Sequence, residues 1–239
     1  MYYKWGVRMI YCISDIHGQY DKYCEMIEKI NFSQDDTLYV IGDVVDRGEG
    51  GIKVLQDMMY RENVIPMIGN HEYMAYSLLP KLNTEIREET LSVLNDNFME
   101  SLLNWQMNGG NCTITEFGKL STDDREEILD YLSEFSLYET VEVNGNKFIL
   151  VHAGIDNYDV NRDLDDYSIE ELIFNRCNYD IKYFDKIFLV TGHTPTFLID
   201  EDYRGKIYQK NNHIAIDTGC CYGEKLACIC LNTFEEFYV

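Results

Sequence analysis

The sequence predicts an α/β (α+β) fold of two packed mixed β-sheets flanked by helices, in a single domain over residues 1–239 with a helical insertion at about 73–136. Three observations predict it. Short apolar runs recur along the chain, each ending at a polar residue able to bind or catalyse. Helix-period stretches separate the first of these runs. A long acidic stretch of helical pattern then interrupts the rhythm before strand-like runs return.

The runs, in order, are MIYCIS before Asp15, TLYVIG before Asp43, VIPMIG before Asn70, KFILV before His152, KIFLVTG before His193 and HIAI before Asp217. Each is short, rich in β-branched or aromatic residues, and bounded by Gly or polar residues, as buried strands are. Between the first runs, Tyr20, Tyr23, Cys24, Ile27 and Ile30 share one helical face, and Ile52, Leu55, Met58 and Met59 share another. The chain therefore starts β-α-β-α-β. Right-handed crossovers make these strands parallel neighbours and gather Asp15, Asp43 and Asn70 at one sheet edge. Within the insertion, helices are expected near 85–106 and 122–134 with a Gly109-Gly110 turn between them, covering the site. Segments 137–143 and 147–151, joined by Asn144-Gly145-Asn146, read as a β-hairpin leading to His152.

Composition bounds the function. With 46% hydrophobic and 26% charged residues, 3 Pro and 16 Gly, the chain has the balance of a globular domain without long linkers. The net charge of -22, from 42 acidic against 20 basic residues, repels polyanions, so stable nucleic-acid binding and membrane association are not expected. A phosphate site in such a chain must concentrate cations locally, and bound metal would do so. The 8 Cys form no C-x-x-C pair, and they read as reduced thiols packed into strands. No apolar run near the N-terminus is long enough for a signal peptide, so a cytoplasmic location is the default expectation. Residues 1–8 precede the first strand pattern and read as an extension, with Met9 an equally sensible start.

Two carboxylates, three imidazoles and an amide (Asp15, His17, Asp43, Asn70, His152 and His193) form a mixed oxygen and nitrogen donor set. Such a set suits manganese, iron or zinc rather than calcium alone. Asp15 and His17, two residues apart on extended chain, would point the same way and share one metal, and Asp43 would bridge to a second. Taken singly, an Asp at a strand end is usually a turn or cap residue, but the companions reverse that reading. His213, in a strand-like run, reads as a packed or surface histidine. The acidic helices at 85–90 and 123–130 read as solvated faces.

The order SDIHG (14–18), GDVVDRG (42–48), GNHE (69–72), HAG (152–154) and GH (192–193) resembles the PPP-type serine/threonine phosphatases of the calcineurin-like metallophosphoesterase superfamily. Ser14 stands where the eukaryotic pattern has Gly. The resemblance implies the superfamily's four-layer sandwich and a phosphomonoesterase with two divalent metal ions, manganese first and iron or zinc as alternatives. It implies in-line attack by a metal-bridging hydroxide. It also implies His71 as the general acid oriented by Asp46, Arg47 and Asn70 as substrate-binding residues, and Arg176 as a second phosphate-binding arginine. In the last case, Phe174 replaces the Trp of a W-x-R element found in bacterial and phage members. The segment NWQMNGGN (104–111) resembles a W-x-x-NGG element of that same branch, and Asp217 in DTG resembles a late motif that supports the site from behind the ligands.

The expected substrates are phosphorylated proteins or small phosphoesters. The alternative is a dinucleoside polyphosphate hydrolase of the same superfamily. Its symmetrical members usually read GDLVARGP and GNHD where this chain has Asp46 and Glu72. A polynucleotide phosphatase is a weaker option, and a catalytically silent binding module weaker still. The oligomeric state is not legible.

Overall fold

The computed structural model describes residues 8–83 and 95–239. The chain opens as β1 (Ile10–Ile13), α1 (Tyr20–Lys29), β2 (Thr37–Ile41), α2 (Gly51–Met59), β3 (Val64–Met67) and α3 (Asn70–Leu82). β1 pairs with β2, and β2 with β3, both in parallel register, as the β-α-β-α-β reading requires. The insertion contributes α4 (Asp96–Met107), α5 (Asn111–Gly118) and α6 (Thr122–Ser133). The expected hairpin follows as β4 (Tyr138–Val143) and β5 (Asn146–Val151), and the second half holds α7 (Ile169–Ile173), β6 (Ile187–Thr191), α8 (Thr196–Ile199), β7 (Tyr208–Lys210), β8 (His213–Ala215), β9 (Ala227–Cys230) and β10 (Glu236–Tyr238).

The strands form two five-stranded sheets, in the orders β10-β9-β1-β2-β3 and β4-β5-β6-β8-β7. The period-2 alternation of side chains builds the layers. Cys12, Ile41, Met67, Phe148, Leu150, Val190, Ile214 and Ile229 face inward and form the core between the sheets. Their strand neighbours face outward: Tyr11, Ile13 and Val40 meet Tyr23, Met26, Leu55 and Met58 of α1 and α2, while Ile149, Val151 and Leu189 meet Leu172 and Ile173 of α7. The result is helix on sheet on sheet on helix, the predicted four-layer sandwich.

The insertion differs from expectation in three ways. The helix containing GNHE begins at Asn70, ahead of the expected boundary at 73. The first insertion helix begins at Asp96, capped by the Asn95 side chain accepting from Phe98 N at 2.9 Å; the earlier part of the helix expected at 85–106 lies outside the described residues, as does the acidic face at 85–90. The stretch after Gly109-Gly110 is a third helix, α5, rather than a simple connection into α6. These helices join the main outer core through Phe98, Trp105, Phe117, Ile128 and Leu132, so the insertion extends one layer of the sandwich. Three short strands, β7, β9 and β10, escaped the sequence reading: β7 is largely polar, β10 is an edge strand, and β9 (ACIC) carries Cys228 and Cys230, two of the five buried free thiols. Among the described residues, no helix is long and apolar enough to cross a membrane.

His213 is buried on β8, with Nε2 2.8 Å from Thr191 Oγ1 and its ring stacked on Tyr179. Burial pushes its pKa down to about 3. The folded state therefore leaves His213 neutral where the unfolded chain takes up a proton, and stability falls as pH drops below the unfolded value of about 6.5. Between about pH 7.5 and pH 5 the wild type should lose about 2 kcal/mol more than His213→Gln, measured as urea midpoints at each pH; equal losses would contradict a neutral buried imidazole.

Candidate metal centre

The candidate residues sit at strand ends for a topological reason. β1, β2 and β3 run parallel, as do β5, β6 and β8, so their carboxyl ends open on one side of each sheet. Asp15 follows β1 by two residues, Asp43 follows β2 by two, Asn70 opens α3 just after β3, His152 directly follows β5, and His193 follows β6 by two. Backbone hydrogen bonds carry the β1–β2 pairing past the strands: Asp15 N to Gly42 O (3.1 Å), His17 N to Asp43 O (2.9 Å) and Gly18 N to Val44 O (2.8 Å). The two sheets meet here as well, because His193 N donates to Asp15 and His152 Nδ1 donates to Ile41 O at 2.8 Å.

Asp15 and His17 converge by a different route from the one expected. Both have left-handed φ (52° and 45°), as do Asp43 (56°), Asp46 (70°), Arg47 (67°) and His193 (64°). The ligand-bearing segments are therefore tight turns beyond the strands, and strand alternation does not apply to them. Each such non-glycine residue costs on the order of 1 kcal/mol or more, and it persists only where its surroundings over-determine it.

Four of the six expected metal ligands fall into two compact sets whose donor atoms lie within 4.8 Å of one another: His17, Asp43 and His71 form one, and Asp43, His152 and His193 the other. Asn70 Oδ1 joins the second, 3.1 Å from His152 Nε2 and 3.0 Å from His193 Nδ1. Asp43 belongs to both sets, with Oδ2 3.5 Å from His17 Nε2 and Oδ1 3.3 Å from His152 Nε2. The sixth, Asp15, stands beside them with Oδ1 4.0 Å from His17 Nε2, held by Ser14 and the His193 backbone.

The donors suit divalent cations. His17 Nδ1 donates to Val45 O at 2.9 Å, which leaves Nε2 buried, aimed at Asp43 and without a hydrogen-bond partner. Among the described residues no Lys or Arg pairs with Asp15 or Asp43, so their desolvated charges rely on histidines. The titrations follow. Burial drives His17 and His193 down to about 3. Burial opposes protonation of His152 too, yet the Asp43 and Asp15 carboxylates push it up to about 10. Asp43 lies well below the usual carboxylate range because His152 and His71 outweigh its burial, while burial, Asp217 and Asp43 hold Asp15 well above it.

Around this centre, His71 Nδ1 donates to Asp46 Oδ2 at 2.7 Å, and its Nε2 lies 3.8 Å from Asp43 Oδ2 and 3.0 Å from Arg47 Nη2. Arg47 also reaches Cys221 Sγ (3.5 Å) and the Tyr222 hydroxyl (3.4 Å). Arg176 is exposed and makes no hydrogen bond or ion pair among the described residues, although its charge is felt at His193. Asp217 is buried, accepts from Gly219 N at 2.9 Å and is pushed up to about 6 by burial; among the described residues it makes no hydrogen bond to a candidate ligand, and its charge acts on Asp15.

One contributor was missed. Glu72 is fully buried, and its carboxylate accepts four backbone N–H groups, from Asp43 (2.7 Å), Val44 (2.7 Å), Val45 (3.1 Å) and Gly69 (3.0 Å). It thereby clamps the left-handed turn at Asp43 to the entry of α3. The GNHE motif contained the signal, but only the fold shows which N–H groups the carboxylate meets. In Glu72→Gln an amide NH2 would face those donors, so unfolding in urea should show a loss of about 3 kcal/mol, whereas unchanged stability would contradict the clamp.

A family model described as calcineurin-like phosphoesterase matches residues 9–223. Among curated relatives, a symmetrical bis(5'-nucleosyl)-tetraphosphatase of Delftia acidovorans is 27% identical over 61% of this chain, but the match spans only 44% of that protein's length. An asymmetrical bis(5'-nucleosyl)-tetraphosphatase, PrpE, of Bacillus velezensis is 27% identical over 90% of this chain and 85% of its own. Serine/threonine-protein phosphatase 2 of Salmonella typhimurium is 27% identical over 71% of this chain and 68% of its own. A solved serine/threonine phosphatase of Saccharomyces cerevisiae superposes with a TM-score of 0.62 at 15% identity, covering 95% of this chain and 73% of that one, which shows a shared fold. With the five motifs gathered at one edge of the sandwich and the family match running across nearly the whole of it, the chain belongs to the calcineurin-like phosphoesterase family.

Proposed function

We propose that this chain is a dinuclear-metal-dependent phosphomonoesterase of the serine/threonine phosphatase type, acting on phosphorylated proteins or small phosphoesters. The observation that carries the reading is the pair of donor sets sharing Asp43, with the buried His71–Asp46 pair beside them. Asp15, His17, Asp43, Asn70, His152 and His193 would hold the two ions. Such ions supply Lewis acidity, drawing charge from phosphoryl oxygens and making water nucleophilic at neutral pH.

The chain's own residues do the rest. Arg47 lies against His71 with its guanidinium at the surface of the site, where it can bind phosphate oxygens bidentately, and the unpaired Arg176 can swing to a second face of the same group. His71 is fixed in one tautomer, with Nδ1–H on Asp46, so Nε2 is the atom that exchanges a proton with the leaving oxygen. The Asp43 and Asp46 charges raise the His71 pKa against its burial, which favours a proton donor.

The dinucleoside polyphosphate reading draws support from the Bacillus velezensis relative, which matches along most of both chains. The chemistry of the leaving group favours the monoesterase. A departing serine alkoxide is a strong base that needs protonation, whereas a departing nucleoside phosphate is a weak one that does not, and His71–Asp46 is built to deliver a proton. A manganese-loaded preparation tested on phosphopeptides, diadenosine polyphosphates and nucleic acids with terminal phosphates should turn over the phosphopeptides best. Preference for a diadenosine polyphosphate would overturn the reading, and no hydrolysis of any substrate with manganese, iron, zinc or magnesium would favour a binding module. His71→Asn should lower kcat by about 10²-fold with metal content nearly intact, whereas Asp43→Asn should lower metal occupancy and activity together. Metal analysis beside steady-state kinetics checks both, and full metal retention by Asp43→Asn would remove the shared ligand.

A further inference from the structure

The W-x-x-N-G-G element of the insertion ends inside the site. Trp105, in the last turn of α4, is fully buried, and its indole Nε1–H donates to Asp46 Oδ2 at 2.7 Å, the same oxygen that receives His71 Nδ1–H. Thr113 of α5 holds the other oxygen: its hydroxyl donates to Asp46 Oδ1 at 2.5 Å and accepts Asp46 N–H at 3.0 Å. The two glycines make the approach possible. Gly109 has φ +103° and accepts Arg47 N–H at 3.1 Å, and a Cβ there would come within 2.8 Å of the Arg47 side chain. At Gly110 a Cβ would lie 2.6 Å from the Trp105 indole. The tryptophan and both glycines of the motif therefore contact Asp46–Arg47 or the residue that does.

A carboxylate can rotate about its last bond, and an imidazole hydrogen-bonded to it turns with it. Asp46 has no Lys or Arg partner among the described residues; three donors from α3, α4 and α5 fix its plane. We infer that Trp105, supported by Thr113, is the positioning residue that holds the Asp46 carboxylate, and through it aims His71 Nε2 at the leaving oxygen. This rests on the reading of His71 as the proton donor. Trp105 acts through Asp46 and touches no reacting group, so its loss costs most where protonation of the leaving group matters most.

The test uses manganese-loaded protein, Trp105→Phe, which keeps an aromatic ring at the site but removes the indole N–H together with the fused five-membered ring, and two monoesters that differ in leaving-group basicity. For phenyl phosphate kcat should fall about tenfold, and for para-nitrophenyl phosphate less than about threefold, with KM nearly unchanged in both. In a His71→Asn background, adding Trp105→Phe should change kcat by less than about twofold, because the proton donor is already gone. An equal loss on both esters, or a full additive loss in the double variant, while His71→Asn alone remains selective for phenyl phosphate, overturns the inference and leaves the His71 role standing. A His71→Asn variant without that selectivity overturns the His71 reading and the inference with it. Thr113→Val removes the second donor at similar volume and carries the same comparison if Trp105→Phe folds poorly.

Discussion

The architecture turns on one buried carboxylate. Asp43 sits where the edges of the two sheets meet, with Oδ2 3.5 Å from His17 and 3.8 Å from His71 on one side and Oδ1 3.3 Å from His152 on the other. A desolvated carboxylate is tolerated only when it is surrounded by compensating donors, and here they come from both sheets. The requirement propagates outward. The parallel strands must present their carboxyl ends together, and the sheets must approach closely enough for His152 Nδ1 to reach Ile41 O across the junction at 2.8 Å.

Holding Asp43 there imposes a strained backbone. Asp15, His17, Asp43 and His193, with Asp46 and Arg47 beside them, take left-handed conformations, and the fold compensates with buried polar anchors rather than with glycine at every turn. Glu72 supplies the main anchor, gathering four N–H groups from two segments. The Asp46–Arg47 pair has its own, built by Trp105, Gly109 and Thr113 from the insertion. The insertion is therefore part of the site's support as well as a layer of the sandwich.

The charge distribution fits the proposed chemistry. A chain of net charge -22 repels phosphate at a distance, and its site concentrates further carboxylates. Divalent ions would reverse that sign locally, with Arg47 beside His71 adding directional contacts in the proposed reading. Cations bound at the centre and an arginine at its rim would let an acidic protein select one compact dianion without becoming a general polyanion binder.

The layer architecture, the parallel β-α-β-α-β start, the hairpin before His152 and the polar residues at strand ends were all legible in the sequence, because strand period, helix period and turn residues are local properties. So was the pairing of Asp46 with His71 as an implication of the resemblance, realised at 2.7 Å. Other features depend on pieces of chain far apart in sequence. The left-handed turns at Asp15 and His17 replace the extended path because the β1 loop must hydrogen-bond to the β2 loop. Glu72 meets the Asp43 turn, and Trp105 meets Asp46 across 59 residues, only once α3 and α4 have docked. The sequence by itself determined the element types and the inventory of donors. Tertiary packing decided which donor faces which, because hydrogen-bond direction and burial are set by neighbours that the local chain does not contain.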